Sequence, residues 1–297
     1  MTSSKSDALF TARITHGDLD AIEVRHPRFS ARIFLQGAHL THFAPTGDDN
    51  WLWMSPDAAF EQSRAIRGGI PVCWPWFGDA RRNPEPVANR AQTDKAHGFA
   101  RTHTWTLADI HESEQDVEIS LMLDAANCGD IGNAWPLRAR MTFRFNAEHC
   151  QILLTTHNTG SSPVEYTEAL HTYFPTADVT HSFLSGLEQT HYIDTLHDWQ
   201  EILESGDVRF RGETDRIYQR GGPILVHTPR HVTRIETQGS ESTVVWNPGP
   251  EKAKRLSDFP DNAWKTMLCV ETANAWPHFI RLMDGESHTT ELVLSRC

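Results

Sequence analysis

The chain is short of positive charge. Its 27 Lys and Arg face 39 Asp and Glu, for a formal net charge of -12. Gripping a phosphate backbone takes clustered cations, so nucleic acid is excluded as a partner. A small anion, which needs only two or three local cations, is not. Long apolar runs are also missing. Nothing approaches the roughly 18 consecutive apolar residues of a membrane helix, so no membrane partner is expected. The start, MTSSKSDALF, lacks the apolar core of a signal peptide and reads as a flexible polar tail over residues 1–10. The five cysteines (Cys73, Cys128, Cys150, Cys269 and Cys297) are odd in number, widely spaced and without a CxxC pair. That pattern predicts reduced thiols in a cytoplasmic protein. No GxxxxGK[ST], no GxGxxG after a strand, no HExxH and no GxSxG is present, which sets aside nucleotide loops, zinc proteases and the serine-hydrolase elbow. His171, His181 and His191 recur every ten residues, a spacing that fits no compact metal site, so no metal is expected.

Alternation is what the chain has in quantity. In LRARMTFRF, Leu137, Ala139, Met141, Phe143 and Phe145 share one face while Arg138, Arg140, Thr142 and Arg144 share the other, the mark of a half-buried strand. EISLMLD, QILLTTHNTG, VEYTEALHTYF, STVVWNPG, KTMLCVET and HTTELVLSR add further strand-like runs. Helical signals are few. Ser55-Pro56-Asp57 reads as an N-cap before a short helix in AAFEQSR, and Ile193, Leu196, Trp199 and Leu203 have roughly helical spacing. Residues 79–95 read as a surface loop. The 297 residues, 39% of them hydrophobic, are enough for a large core. One all-β sandwich domain with few short helices, spanning 1–297 and acting as a monomer, fits best.

Five stretches have chemistry to offer, each beside a plainer reading. AIRGGIPVCWPWFG places Arg67 before Gly68 and Gly69 and then a run crowded with aromatics and prolines. It is a phosphate grip, a sugar platform or a tight turn into the core. In AHGFAR, a strand would put His97, Phe99 and Arg101 on one surface, suited to a sugar ring and a phosphate or else to a capped surface arginine. In EALHTYF, His171 shares the more polar face with Ala169 and Tyr173 and looks into a cleft, where its ordinary pKa suits proton transfer. A satisfied structural histidine is the plain alternative. In MLCVETANA, Glu271 ends an apolar run, where a carboxylate is either paired or functional. In GETDRIY, Asp215 is explained equally well by a turn with a surface ion pair.

Taken in order, IRGGIPVCWPWFG, HGFAR, ALHTYF, GETDRIY, VVWNPGPEKAKRLSDF and MLCVET resemble the hexose-6-phosphate mutarotases, or glucose-6-phosphate 1-epimerases, of the galactose-mutarotase-like superfamily. The resemblance runs from about residue 20 to the end. It implies a large β-supersandwich and a reaction without cofactor that exchanges the α and β anomers of an aldohexose 6-phosphate, so the expected partner is a small sugar phosphate. By the same resemblance Glu271 is the base at the anomeric hydroxyl and His171 the acid at the ring oxygen. Arg67 and Arg101 match phosphate-binding arginines, Asp215 a contact to sugar hydroxyls, and His97 a substrate-binding histidine. Ala96 stands where some relatives carry a substrate-contacting Gln. The aromatics from Trp74 to Phe77 read mostly as core, with one ring lining the sugar pocket.

Overall fold

The structure, a computed structural model, describes residues 9–297. The expected tail therefore falls outside the described residues up to position 8. Leu9 and Phe10 are tied down, both donating backbone N–H groups to the Glu112 carboxylate, at 2.7 and 3.2 Å.

Two large antiparallel sheets carry the fold. One has nine strands, ordered Val208–Arg209, Phe183–Ser185, Ile224–His227, Val232–Gln238, Ser287–Arg296, His149–Asn158, Leu137–Phe145, Val117–Asp124 and Thr106–Glu112. The other has eight strands. Its path runs Gln200–Leu203, His191–Asp194, Thr214–Tyr218, Ser242–Asn247, Met267–Asn274, Glu168–Leu170 and Val72–Cys73, with Tyr173–Pro175 also paired to Met267–Asn274. A four-stranded sheet of Thr11–His16, Leu19–His26, Phe29–Phe34 and His39–Pro45 and a two-stranded sheet of Val164–Tyr166 with Ile280–Leu282 complete the set. Among the described residues there are three α-helices, Glu85–Ala91, Asp130–Asn133 and Gly249–Ala253, all short. None is long and apolar enough to cross a membrane. The all-β reading holds.

The alternation read in Leu137–Phe145 is what the fold uses. Leu137, Ala139, Met141, Phe143 and Phe145 are buried in the main core, and the arginines between them are exposed. Each of the four larger apolar side chains contributes about 1.5–3 kcal/mol by leaving water. The strands Ser242–Asn247 and Met267–Asn274 are buried at every position. Val245, Leu268 and Val270 point into the same core as Met141 and Phe143. Val244, Trp246, Cys269 and Ala273 point to the opposite face, where separate apolar clusters gather. A sheet covered on both faces can floor a cavity.

Three local expectations are corrected. Ser55 caps only a turn: its Oγ accepts the Asp57 N–H at 3.2 Å and donates to the Asp258 carbonyl at 2.7 Å. No helix follows, because Phe60 is drawn onto Phe34, with centroids 4.9 Å apart, and its carbonyl accepts the Asp18 N–H. The segment from 193 to 203 is a hairpin, His191–Asp194 against Gln200–Leu203. The latter strand is largely exposed, which hid its period. Residues 79–95 hold a 3-10 turn, Ala80–Arg82, capped by Asp79, and the helix Glu85–Ala91, which buries Val87 and Ala91. Pro84 and Pro86 sit at the helix start, where a missing N–H costs nothing.

Candidate active site

The strand register of the eight-stranded sheet sets the floor of a cavity of about 410 Å³. Asp215 pairs with Trp246, Trp246 with Cys269, and Cys269 with Tyr173, forming one row across four strands. The next row places Ile217 beside Val244 and Val244 beside Glu271. His171 sits in the break between Glu168–Leu170 and Tyr173–Pro175, held by its N–H donating to the Pro71 carbonyl at 3.0 Å. All six residues singled out in the sequence, Arg67, His97, Arg101, His171, Asp215 and Glu271, line this one cavity.

At its centre His171 Nε2 lies 3.3 Å from Glu271 Oε1. Both side chains are deeply buried, at 10% and 1% exposure. Burial pushes the Glu271 carboxyl well above the usual carboxylate range, and the nearby Asp215 carboxylate adds to that. Burial, followed by the positive fields of Arg101 and Arg67, pulls His171 down to about 3. The free site therefore favours the uncharged pair, an acid and a neutral imidazole with one proton between them. Moving that proton from Glu271 to His171 produces the ion pair without any change in total charge. Among the described residues Glu271 Oε2 and His171 Nδ1 have no hydrogen-bond partner, so each still has capacity to bond.

The cations are arranged around this pair. Arg67 meets the Asp258 carboxylate at 3.1 Å, and its Nη1 donates to the Tyr173 hydroxyl at 3.3 Å. Its reach depends on the glycines after it. Gly68 and Gly69 have φ of +108° and +63°, and a Cβ on Gly69 would lie 2.3 Å from the Leu40 carbonyl oxygen. Arg101 donates to the Ala96 carbonyl at 3.0 Å. Lys252 lies 3.0 Å from Glu213 and 3.8 Å from Asp215. Burial raises the Asp215 carboxyl to about 6, against the lowering pull of Lys252. Asp215 lies within the strand Thr214–Tyr218 rather than in a turn.

AHGFAR is not a strand. His97 has φ +63°, and Ala100–Thr102 is a 3-10 turn. Phe99 consequently leaves the side of His97 and Arg101 and packs in the core against Trp74 and Trp76. Of the opening aromatics, Trp74 and Trp76 are fully buried, and Phe77 is the ring that reaches the cavity. Four of the five cysteines are buried thiols.

Several cavity residues escaped the sequence reading. Tyr173 stacks on His171 with centroids 4.9 Å apart, and Trp246 meets both rings edge-on. Tyr173 had shown one signal, the face it shares with His171. Trp199, at φ +57°, lies under the Arg82 guanidinium at 5.6 Å and meets Trp276 edge-on at 6.4 Å. Nothing in the sequence marks those three as neighbours.

Comparison with known proteins agrees with this architecture. The family model for aldose 1-epimerase matches residues 20–295. A relative from Escherichia coli K12, described as a "Putative glucose-6-phosphate 1-epimerase", is 37% identical over 263 residues, covering 87% of this chain and 84% of the relative. The crystal structure of a "putative mutarotase" from Salmonella typhimurium superposes with a TM-score of 0.85 at 30% identity, covering 98% of this chain and 95% of the other. A galactose mutarotase-like protein from Clostridium acetobutylicum shares the fold, with a TM-score of 0.73 at 13% identity over 97% and 98% of the two chains.

Proposed function

The chain belongs to the aldose 1-epimerase family, and from that premise we propose that it interconverts the α and β anomers of an aldohexose 6-phosphate, glucose 6-phosphate first. The observation that carries the reading is the buried His171–Glu271 pair, 3.3 Å apart, in a cavity lined by two arginines. Ring opening removes a proton from the anomeric hydroxyl and places one on the ring oxygen. In this reading Glu271 takes the first and His171 gives the second. The C1–O5 bond breaks, the aldehyde forms, the C1–C2 bond rotates, and closure on the other face returns both protons with the roles exchanged. Each proton transfer by a positioned group is worth about 10²–10⁴ in rate. All transferred hydrogens move as protons, so the chemistry needs no cofactor.

Arg67 and Arg101 take the 6-phosphate, His97 and Asp215 the sugar. A bound phosphate would also change the catalytic pair. Its negative charge offsets the two guanidinium fields that add to burial in holding His171 low, and so favours the ion-pair form in which Glu271 is a base and His171 an acid. The phosphate thus serves chemistry as well as affinity. The chain works in this reading as a single-domain monomer of the cytoplasm.

One observation favours a second reading, an epimerase of free aldoses. Arg67 already has the Asp258 carboxylate at 3.1 Å, which neutralises part of its charge. Exchange NMR on the anomers of glucose 6-phosphate and of glucose, each against a protein-free control, separates the two. The sugar-phosphate reading expects acceleration of the phosphate ester well beyond that of the free sugar; equal acceleration favours the second.

A further inference from the structure

Cys73 lies on the strand Val72–Cys73 at the edge of the cavity floor, fully buried, and has no part in the proton transfers. Its Sγ is 3.3 Å from Nδ1 of His97. A second group aims at the same nitrogen: the Gly78 backbone N–H donates to His97 Nδ1 at 3.4 Å. The two residues are locked reciprocally, because the His97 N–H donates to the Gly78 carbonyl at 2.9 Å. A backbone N–H can only donate, so it biases Nδ1 toward the lone-pair form, weakly at this length. Cys73, whose thiol burial holds protonated, then supplies a second donor to that lone pair.

The backbone around His97 is built to hold this arrangement. His97 sits at φ +63°, an unusual conformation for a residue with a side chain. The next residue, Gly98, tolerates no Cβ, which would lie 1.9 Å from the Trp74 carbonyl oxygen. The imidazole is therefore delivered to the cavity with its Nδ1 edge facing the protein and its Nε2 edge left for a ligand. Among the described residues no hydrogen bond is made to that Nε2.

We infer that Cys73 is a positioning residue: together with the Gly78 N–H it fixes His97 as a neutral imidazole with its proton on Nε2, a hydrogen-bond donor to an oxygen of the sugar phosphate. This rests on the substrate reading above. It adds a division of labour between two adjacent imidazoles, whose centroids are 5.8 Å apart. His171 changes its protonation during turnover, whereas His97 does not, so His171 never has to take up a proton beside a second positive ring. An inverted His97 tautomer would instead offer substrate a lone pair, which suits a hydroxyl hydrogen but repels a phosphate or ring oxygen.

The test joins a spectroscopic readout without substrate to a kinetic one with it. Nitrogen-15 NMR of the histidine side chains reports the tautomer of His97 in wild type, Cys73→Ser and Cys73→Ala, between pH 6 and 9. Wild type and Cys73→Ser, which keeps a short donor, are expected to show the Nε2–H form throughout. Cys73→Ala is expected to show an Nδ1–H population. In kinetics Cys73→Ala raises KM for glucose 6-phosphate about 3- to 10-fold, the size of one lost hydrogen bond, with kcat nearly unchanged, and Cys73→Ser restores it. A Cys73→Ala protein that keeps pure Nε2–H and wild-type KM overturns the inference, as does a wild type with the Nδ1–H tautomer. Failure of the substrate reading looks different: wild type would show the expected tautomer and no acceleration of anomer exchange.

Discussion

The Tyr173 ring lies nearly flat on the His171 imidazole, the planes 14° apart, while its hydroxyl accepts a hydrogen bond from Arg67 at 3.3 Å. One side chain thus joins the proposed phosphate end of the site to its proposed acid. Tyr173→Phe keeps the stack and loses only the bond to Arg67. KM for glucose 6-phosphate is expected to rise about 2- to 10-fold, the range for one hydrogen bond, with kcat little changed. Tyr173→Ala removes the stack as well. It should lower kcat and cost about 3 kcal/mol in stability, as large-to-small changes in packed sites do. Steady-state kinetics beside denaturant unfolding measure both.

Arg101 gives the cleaner test of the phosphate contact. Among the described residues its side chain has one hydrogen bond, to the Ala96 carbonyl, so Arg101→Ala strands no buried charge. kcat/KM for glucose 6-phosphate should fall about 10- to 100-fold, the range for a hydrogen bond to a charged group, while exchange of free glucose does not fall, because losing the guanidinium also lifts its field from His171. Arg67→Ala should show the same selectivity together with a loss of stability, because Asp258, only 7% exposed, loses its cation. Equal slowing of both sugars by Arg101→Ala would contradict the assignment.

Glu168 provides a test of the fold's own electrostatics. It is fully buried and pairs across the strands with Asn274, and its Oε2 has no partner among the described residues. Burial raises its carboxyl from 4.5 to about 7, against the hydrogen bond from Thr290. A folded-state value above the unfolded one means the protonated form belongs to the native state. Its contribution is full below about pH 4.5 and is lost as pH climbs through 7, at a total of about 3 kcal/mol. Unfolding of wild type compared with Glu168→Gln from pH 5 to 8 should show wild type losing stability relative to the variant. A constant difference would mean that the folded protein does not hold the Glu168 proton above the unfolded value.

How much of this was legible in the sequence follows from what each residue's environment does to its neighbours in the chain. Leu137–Phe145 shows its alternation because one face of that strand meets water. Met267–Asn274, buried on both faces, shows no alternation, yet Glu271 stands out there because a carboxylate in an apolar run needs a reason. Arg67 could be read beside its two glycines. Its counter-ion could not, since Asp258 is 191 residues away. His97 was read on a strand because residue types do not announce a positive φ outside glycine. For that reason its lock with Gly78, and the removal of Phe99 to the core, were invisible. The wall of Arg82, Trp199 and Trp276 depends on three separate loops meeting, and nothing local to any of them records the others.

The central claim is that His171 and Glu271 together exchange the anomers of a hexose 6-phosphate. Two-dimensional exchange NMR on glucose 6-phosphate tests it most directly, comparing wild type, Glu271→Gln and a protein-free control. Wild type is expected to exchange the anomers well above the spontaneous rate, with a fall of about 10²–10⁴ in Glu271→Gln and the variant still folded by circular dichroism. Wild-type exchange no faster than the control, or a folded Glu271→Gln as active as wild type, would contradict it.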